Sequence, residues 1–245
     1  MNIINYIANT FDSHQLNSVF DSSLPYPMIV LDNFLPEDVA LQMANECETI
    51  PDQHWTTFTR QGSNMRECNQ LHTAPIAYNF TNQLHSSLGI NWLSQLTKIP
   101  GLIPDPHITG AGYSRIFNGE SLKVHTDFNW NDQLRLHRSI SFILYLNPNW
   151  KEEYGCALDF YDFDNEKVIT SVPTLFNRAI IWKYHKRGFH GCTTPVACPP
   201  ALTRNAFRLF FYTSDAQYKN DEHPHRSLYW FDKDLNEPYD IPTRK

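Results

Sequence analysis

The sequence predicts a mainly β protein with flanking helices, an α+β architecture. Three observations carry this. From Gly101 onward, segments of five to eight residues rich in Ile, Phe, Tyr, Leu and Trp recur between clusters of Asn, Pro, Gly and Asp, the pattern of an antiparallel sandwich or barrel. The first hundred residues instead carry apolar side chains at helical spacing. Finally, the chain of 245 residues has 14% aromatics, only 9 glycines, no internal repeat and no linker, so a single domain can bury a sizeable core. Within it, 1–105 reads as helical and strand support, 106–215 as the β core and 216–245 as a C-terminal extension.

In order, residues 1–24 are polar and mixed, a short helix or arm. Pro25 and Pro27 bracket an extended lead into Met28-Ile29-Val30-Leu31, a short buried strand. Pro36 falls at a first helical position with Glu37 and Asp38 in the first turn, where the dipole favours acids. Val39, Ala40, Met43, Ala44 and Cys47 then form one apolar stripe, the face of a helix packed on a sheet. Trp55 to Arg60 has strand character, although Pro51 to Ala74 shows little periodicity. A helix is expected from Pro75 to Leu88, with Ile76, Phe80, Leu84 and Leu88 as its stripe and Gly89 ending it. Trp92, Leu93 and Leu96 mark a further short helix up to Pro100. The expected strands are Gly112 to Phe117, Leu122 to His125, Ser139 to Leu146, Leu158 to Phe163, Ala179 to Lys183 and Ala206 to Thr213. Turns at Asn118-Gly119 and Asn147-Pro148-Asn149 separate some of them.

The formal net charge is -6 and no basic stripe stands out, which argues against nucleic acid as the main partner. No uncharged run approaches the length of a bilayer crossing, and Met1 to Thr10 lacks the basic lead and apolar core of a signal peptide. Five scattered cysteines without a C-x-x-C argue against a disulfide framework and for a reducing, cytoplasmic setting.

Chemistry is carried by His125-Thr126-Asp127, read together with His190 far downstream. An imidazole and a carboxylate two residues apart on an extended segment point to one side and can reach one metal ion. Two histidines and a carboxylate on one face of an octahedron are the ligand set of non-haem Fe(II) oxygenases. The triplet alone is weak, since roughly one is expected by chance in a chain with 11 histidines and 26 acids, and a surface turn accounts for it equally. On the strand 139–146, Ser139, Ser141, Ile143 and Tyr145 share the face that could line a polar pocket. Arg204 and Arg208 share a parity on the last strand, and a guanidinium is the natural partner of a carboxylate.

The chain resembles the Fe(II)- and 2-oxoglutarate-dependent dioxygenases, in their prolyl 4-hydroxylase-like branch, from about Pro25 to Thr213. The resemblance rests on Pro-Tyr-Pro-Met-Ile-Val-Leu-Asp-Asn-Phe-Leu-Pro at 25–36, Leu-Lys-Val-His-Thr-Asp-Phe-Asn at 122–129 and Leu-His-Arg-Ser-Ile-Ser-Phe-Ile-Leu-Tyr-Leu-Asn at 136–147. Phe-Asn-Arg at 176–178, Phe-His-Gly at 189–191 and the strand after Arg204 complete it, in that order. It implies a double-stranded β-helix (jelly roll, cupin-like) with helices on one outer face. It also implies His125, Asp127 and His190 as iron ligands and Arg204 as anchor of the distal carboxylate of 2-oxoglutarate, with Tyr145 bonding the same carboxylate. Arg208 is the competing anchor, and the family's spacing from the distal histidine favours Arg204. Arg115 stands where relatives place a polar residue facing the cosubstrate; a salt bridge is the alternative. Ala206 departs from the family, in which a hydroxyl residue is common two positions after the arginine.

The implied cofactors are Fe(II), 2-oxoglutarate and dioxygen, with ascorbate as reductant, and the implied products are a hydroxylated C–H bond, succinate and carbon dioxide. Retention of Asp127 points to hydroxylation and not halogenation. The substrate implied is a prolyl residue in a peptide or protein, or free proline or another small amino-acid-like molecule. Phe128, Asn129, Arg138, Trp182 and Tyr184 are candidate contacts at the pocket mouth. His185 is the rival third ligand, His223 and His225 are expected in a polar tail, and the other histidines have no partner at ligand spacing. A reading of another class is a non-catalytic jelly-roll binding module, which a turnover assay separates from the enzyme.

Overall fold

The apolar stripe Ile3, Ile4 and Ile7 folds the start of the chain as helix α1 (Ile3–Thr10), its N-terminus capped by the Asn2 side chain. Helix α2 (Ser13–Ser22) follows, with the Asp12 carboxylate accepting from the backbone N–H of His14 and Gln15. The computed structural model describes residues 2–60, 63–162, 164, 166–214 and 224–229, with the Arg60 side chain excepted.

Helix α3 (Glu37–Thr49) buries the expected stripe of Val39, Ala40, Met43, Ala44 and Cys47. Pro36 sits one position earlier than expected, as N-cap in extended conformation, its carbonyl accepting from Val39 N and Ala40 N. The helix expected to Leu88 ends earlier, as α4 (Pro75–Leu84), and the further helix expected around Trp92 starts earlier, as α5 (Ser87–Thr97). The cause is Ser86, whose hydroxyl caps α5 by accepting from Gly89 N. Gly89 therefore lies inside α5, where a Cβ would come within 2.2 Å of the Leu84 carbonyl oxygen, and Leu88 is exposed.

The strands are β1 (Met28–Leu31), β2 (Thr56–Arg60), β3 (Ser63–Cys68), β4 (Ile103–Pro104), β5 (Gly112–Ile116), β6 (Leu122–Thr126) and β7 (Trp130–Asn131). They continue with β8 (Leu136–Tyr145), β9 (Leu158–Asp162), β10 (Lys167–Val172), β11 (Ala179–Lys183), β12 (His190–Cys192), β13 (Arg204–Thr213) and β14 (Leu228–Tyr229). Two antiparallel sheets result: β1-β11-β8-β13-β5-β3-β2, with β4 on β13 and β7 on β8, and β10-β9-β12-β6-β14. This is a double-stranded β-helix with helices on one outer face.

Period-two alternation sorts the large sheet into two faces. Ile140, Phe142, Leu144, Ile181, Phe207, Leu209 and Phe211 pack with helix residues such as Met43, Phe80 and Leu93 in the main core. The opposite face turns Ile143, Tyr145, Ile180, Trp182 and Ala206 toward Leu158 and Phe160 of the small sheet, forming a chamber between the sheets. The hairpin of β2 and β3 extends the large sheet beside β5. Strand β10 escaped the sequence reading because it is an edge strand exposed along most of its length, and β12 because His-Gly-Cys is too short for a pattern.

Cys156 and Cys192 form one disulfide, against the expectation of a chain without a disulfide framework. They are 36 residues apart in sequence and meet because β12 runs beside β9, pairing Gly191 with Asp159. Cys47, Cys68 and Cys198 are free and buried. Among the described residues no helix is long and apolar enough to cross a membrane.

Candidate metal centre

Antiparallel pairing of β6 with β12 places His125 directly opposite His190, so the two imidazoles share a face, their ring centres 4.7 Å apart. Asp127 projects beside them from the exit of β6. Gly191 permits this approach, since a Cβ there would lie 2.9 Å from the backbone of Leu122 and Val124. One ligand atom from each of His125, Asp127 and His190 falls within 4.8 Å of the others. His125 Nε2 lies 3.9 Å from Asp127 Oδ1, and His190 Nε2 lies 3.7 Å from Oδ2.

The tautomers suit a cation. His125 Nδ1 faces the Lys123 carbonyl at 2.7 Å and His190 Nδ1 faces the Gly188 carbonyl at 2.9 Å. A carbonyl only accepts, so each Nδ1 carries the proton and each Nε2 offers its lone pair. Burial, then the neighbouring His190, pushes His125 down to about 4, keeping it neutral at ordinary pH. Burial alone would raise Asp127, but Arg138, His190 and His125 hold its carboxyl below the usual range. His185, the rival ligand, is exposed and stacks on Tyr26 at 6.0 Å, accepting from Arg187 N through Nδ1.

Sequence reasoning missed the partner of Asp127. Arg138 Nη2 donates to Asp127 Oδ2 at 2.8 Å, and Ser141 Oγ donates to the same oxygen at 3.3 Å. Arg138 is only 2% exposed. A register shift between Phe211 and Tyr212 in the β13/β8 pairing falls beside Arg138, an irregularity that alternation does not anticipate. Arg138 was expected at the pocket mouth as a candidate substrate contact and not as the partner of Asp127, and Ser141 was expected on the pocket face of β8, from which it does reach Asp127.

Deeper in the chamber, Arg204 Nη2 donates to Tyr145 Oη at 3.1 Å and Nε donates to the Cys156 carbonyl at 3.1 Å. Among the described residues three arginines are buried: Arg115, Arg138 and Arg204. Two of them meet a carboxylate, whereas Arg204 has none among the described residues. A buried guanidinium with only neutral partners is a fit for a carboxylate ligand. Arg208 is instead ion-paired with Glu67.

Arg115 does not face this chamber. It lies on the helix side of β5, where Nη2 donates to the Cys47 carbonyl at 2.8 Å and pairs with Glu48 at 3.3 Å, its guanidinium stacked on Trp55. Its parity differs by one from Ser114 and Ile116, so it takes the salt bridge and makes no contact on the chamber side.

A cleft of about 430 Å³ opens onto His125 and Asp127, walled by Phe128, Trp130, Phe210 and Tyr229 with Arg138 and Arg208. Trp182 packs edge-on to His190 at 5.4 Å. His225 is not in a free polar tail: its Nε2 meets Tyr184 Oη at 3.0 Å and its backbone N–H donates to Asn129 Oδ1 at 2.7 Å. His223 lies outside the described residues.

Residues 111–212 match the family model of the 2OG-Fe(II) oxygenase superfamily. No curated protein matches the chain in sequence. Among solved structures, a Trichoplax adhaerens prolyl hydroxylase in complex with a hypoxia inducible factor peptide fragment is similar, with 15% identity and TM-score 0.59, over 82% of this chain and 90% of that one. A Pseudomonas putida prolyl-4-hydroxylase aligns with 16% identity and TM-score 0.56, over 81% and 99%. HygX from Streptomyces hygroscopicus, with nickel, 2-oxoglutarate and hygromycin B bound, aligns with 10% identity and TM-score 0.53, over 87% and 97%. At these identities the likeness is one of fold.

Proposed function

From membership of the 2OG-Fe(II) oxygenase superfamily, carried by residues 111–212, we propose that this 2-oxoglutarate-dependent oxygenase hydroxylates a C–H bond of a prolyl residue in a peptide or protein. His125, Asp127 and His190 would hold Fe(II). The bound metal with 2-oxoglutarate and dioxygen supplies the oxidation, giving succinate and carbon dioxide as coproducts, with ascorbate as the reductant that keeps the iron ferrous.

The chain's own residues do the positioning. Arg204 and Tyr145 receive the distal carboxylate; that buried guanidinium, with no carboxylate partner among the described residues, is the observation that carries the reading. The Lys123 and Gly188 carbonyls fix the imidazole tautomers, and Arg138 with Ser141 fixes the Asp127 carboxylate. The aromatic walls of the cleft, Phe128, Trp130, Phe210 and Tyr229, orient an apolar substrate ring and exclude water beside the metal.

The prolyl substrate is supported by the similar fold of a prolyl hydroxylase that binds a peptide. A second reading is a small-molecule substrate, free proline or a related amino acid, supported by the similar fold of HygX with hygromycin B bound. Incubation with Fe(II), 2-oxoglutarate, ascorbate and either prolyl peptides or free amino acids, followed by mass spectrometry, tests both. One added oxygen on the peptide supports the first, on the free amino acid the second. No added oxygen and no succinate under any condition would leave a binding module.

A further inference from the structure

One polar atom of the chamber has no role in the account above: the hydroxyl of Tyr26. Its segment continues β1 alongside β11, since the carbonyl of Pro27 accepts from Lys183 N at 2.9 Å. Tyr26 has the parity of Met28, which pairs with Trp182, and both join the chamber cluster with Phe160 and Tyr145. The side chain is 95% buried by its 5% exposure, with its ring edge-on to Phe160 at 5.7 Å. Phe160 in turn lies 6.0 Å from His190. A Cβ on Gly188, whose carbonyl fixes His190 Nδ1, would touch Tyr26 Cζ at 3.4 Å. The Asp127 carboxylate is close enough for its charge to add to burial in raising the phenol. The hydroxyl itself has no hydrogen-bond partner among the described residues.

A buried hydroxyl left unpaired lowers stability, and a phenylalanine would fill the same space without that cost. Such an atom beside a ligand chamber points to a ligand oxygen. The chamber already has polar groups at both ends, the metal ligands at one and Arg204 with Tyr145 at the other, and apolar walls of Ile143, Leu158, Ile180 and Ala206 between. That sequence of surfaces matches a linear dicarboxylate with a methylene middle.

We propose that Tyr26 is a cosubstrate-binding residue whose hydroxyl donates a hydrogen bond to a metal-side oxygen of 2-oxoglutarate. This rests on the oxygenase reading above. The contact would complete the grip on a ligand whose far carboxylate Arg204 takes.

Calorimetric titration of 2-oxoglutarate into the Mn(II)-loaded full chain, for the wild type and Tyr26→Phe, tests it, with Mn(II) titrations and thermal unfolding of the ligand-free proteins alongside. Tyr26→Phe should bind 2-oxoglutarate about tenfold more weakly, bind Mn(II) as the wild type does, and unfold at a higher temperature without ligands. Wild-type affinity for 2-oxoglutarate in Tyr26→Phe would overturn the proposal. So would a parallel loss of Mn(II) binding or a lower unfolding temperature, which would assign the hydroxyl a role inside the protein. Failure of the wild type itself to take up 2-oxoglutarate with Mn(II) would instead overturn the oxygenase reading, and this inference with it.

Discussion

Arg138 and Asp127 form a buried ion pair at the candidate metal centre, Nη2 to Oδ2 at 2.8 Å, with the guanidinium held between the rings of Phe210 at 3.4 Å and Phe128 at 4.6 Å. Both rings also wall the cleft, so one cation joins the substrate-facing surface to a proposed ligand of the metal. Without it, one oxygen of Asp127 would keep only the Ser141 hydroxyl.

Arg138→Gln should therefore destabilise the metal-free protein by about 3 kcal/mol, the scale for leaving a buried charge unpaired. Added Mn(II) should shrink that loss, because the metal supplies the missing positive charge. Thermal unfolding with and without Mn(II) measures both; an equal loss in the two conditions would reject the coupling.

Arg204→Ala should weaken 2-oxoglutarate binding about a hundredfold, the scale of two charge-assisted hydrogen bonds. Arg208→Ala should leave that affinity within a fewfold, because Arg208 is committed to Glu67. Calorimetry on the Mn(II)-loaded proteins decides, and the reverse ranking would make Arg208 the anchor.

The fold and the convergence of His125, Asp127 and His190 were legible because they follow from alternation and from local spacing. His125 and Asp127 share a face by being two apart on a strand, and Tyr145 shares its face with Ser141 for the same reason. What escaped depends on distant register. Arg138 reaches Asp127 where the β8/β13 pairing slips, and Arg115 turns to the helix side because its parity is set by β13 and not by its distance from the metal ligands. The Cys156–Cys192 bridge depends on β12 lying beside β9, and β12 itself is three residues long. Ser86 was overlooked as a cap because Gly89 looked like the stronger stop signal.

Burial pushes His85 down to about 4, outweighing Asp105, and its Nε2 has no partner among the described residues. A histidine depressed on folding takes up its proton more readily when unfolded, so its contribution is present above about pH 6.5 and is lost as pH falls toward 4. By about pH 5 the loss should be on the order of 2 kcal/mol. Urea unfolding of the wild type and His85→Gln at pH 7 and pH 5 checks the sign: the variant should lose less stability on acidification. An equal loss would remove His85 as a cause.

The Cys156–Cys192 bridge closes a loop across 36 positions, which in the chain-entropy picture stabilises by about 3–4 kcal/mol. Cys156→Ala with Cys192→Ala should unfold at correspondingly lower urea. Because the Cys156 carbonyl holds Arg204 Nε, the same variant should also bind 2-oxoglutarate more weakly. An unchanged midpoint and affinity would show the bridge to be unimportant for both.

The most direct measurement is succinate released from 2-oxoglutarate with Fe(II) and ascorbate, compared among the wild type, His125→Ala and Asp127→Asn. The wild type should release succinate and both folded variants none, because each lacks one of three converging ligand groups. Wild-type release from either variant, or none from a wild type supplied with iron, peptides and free amino acids, would contradict the account.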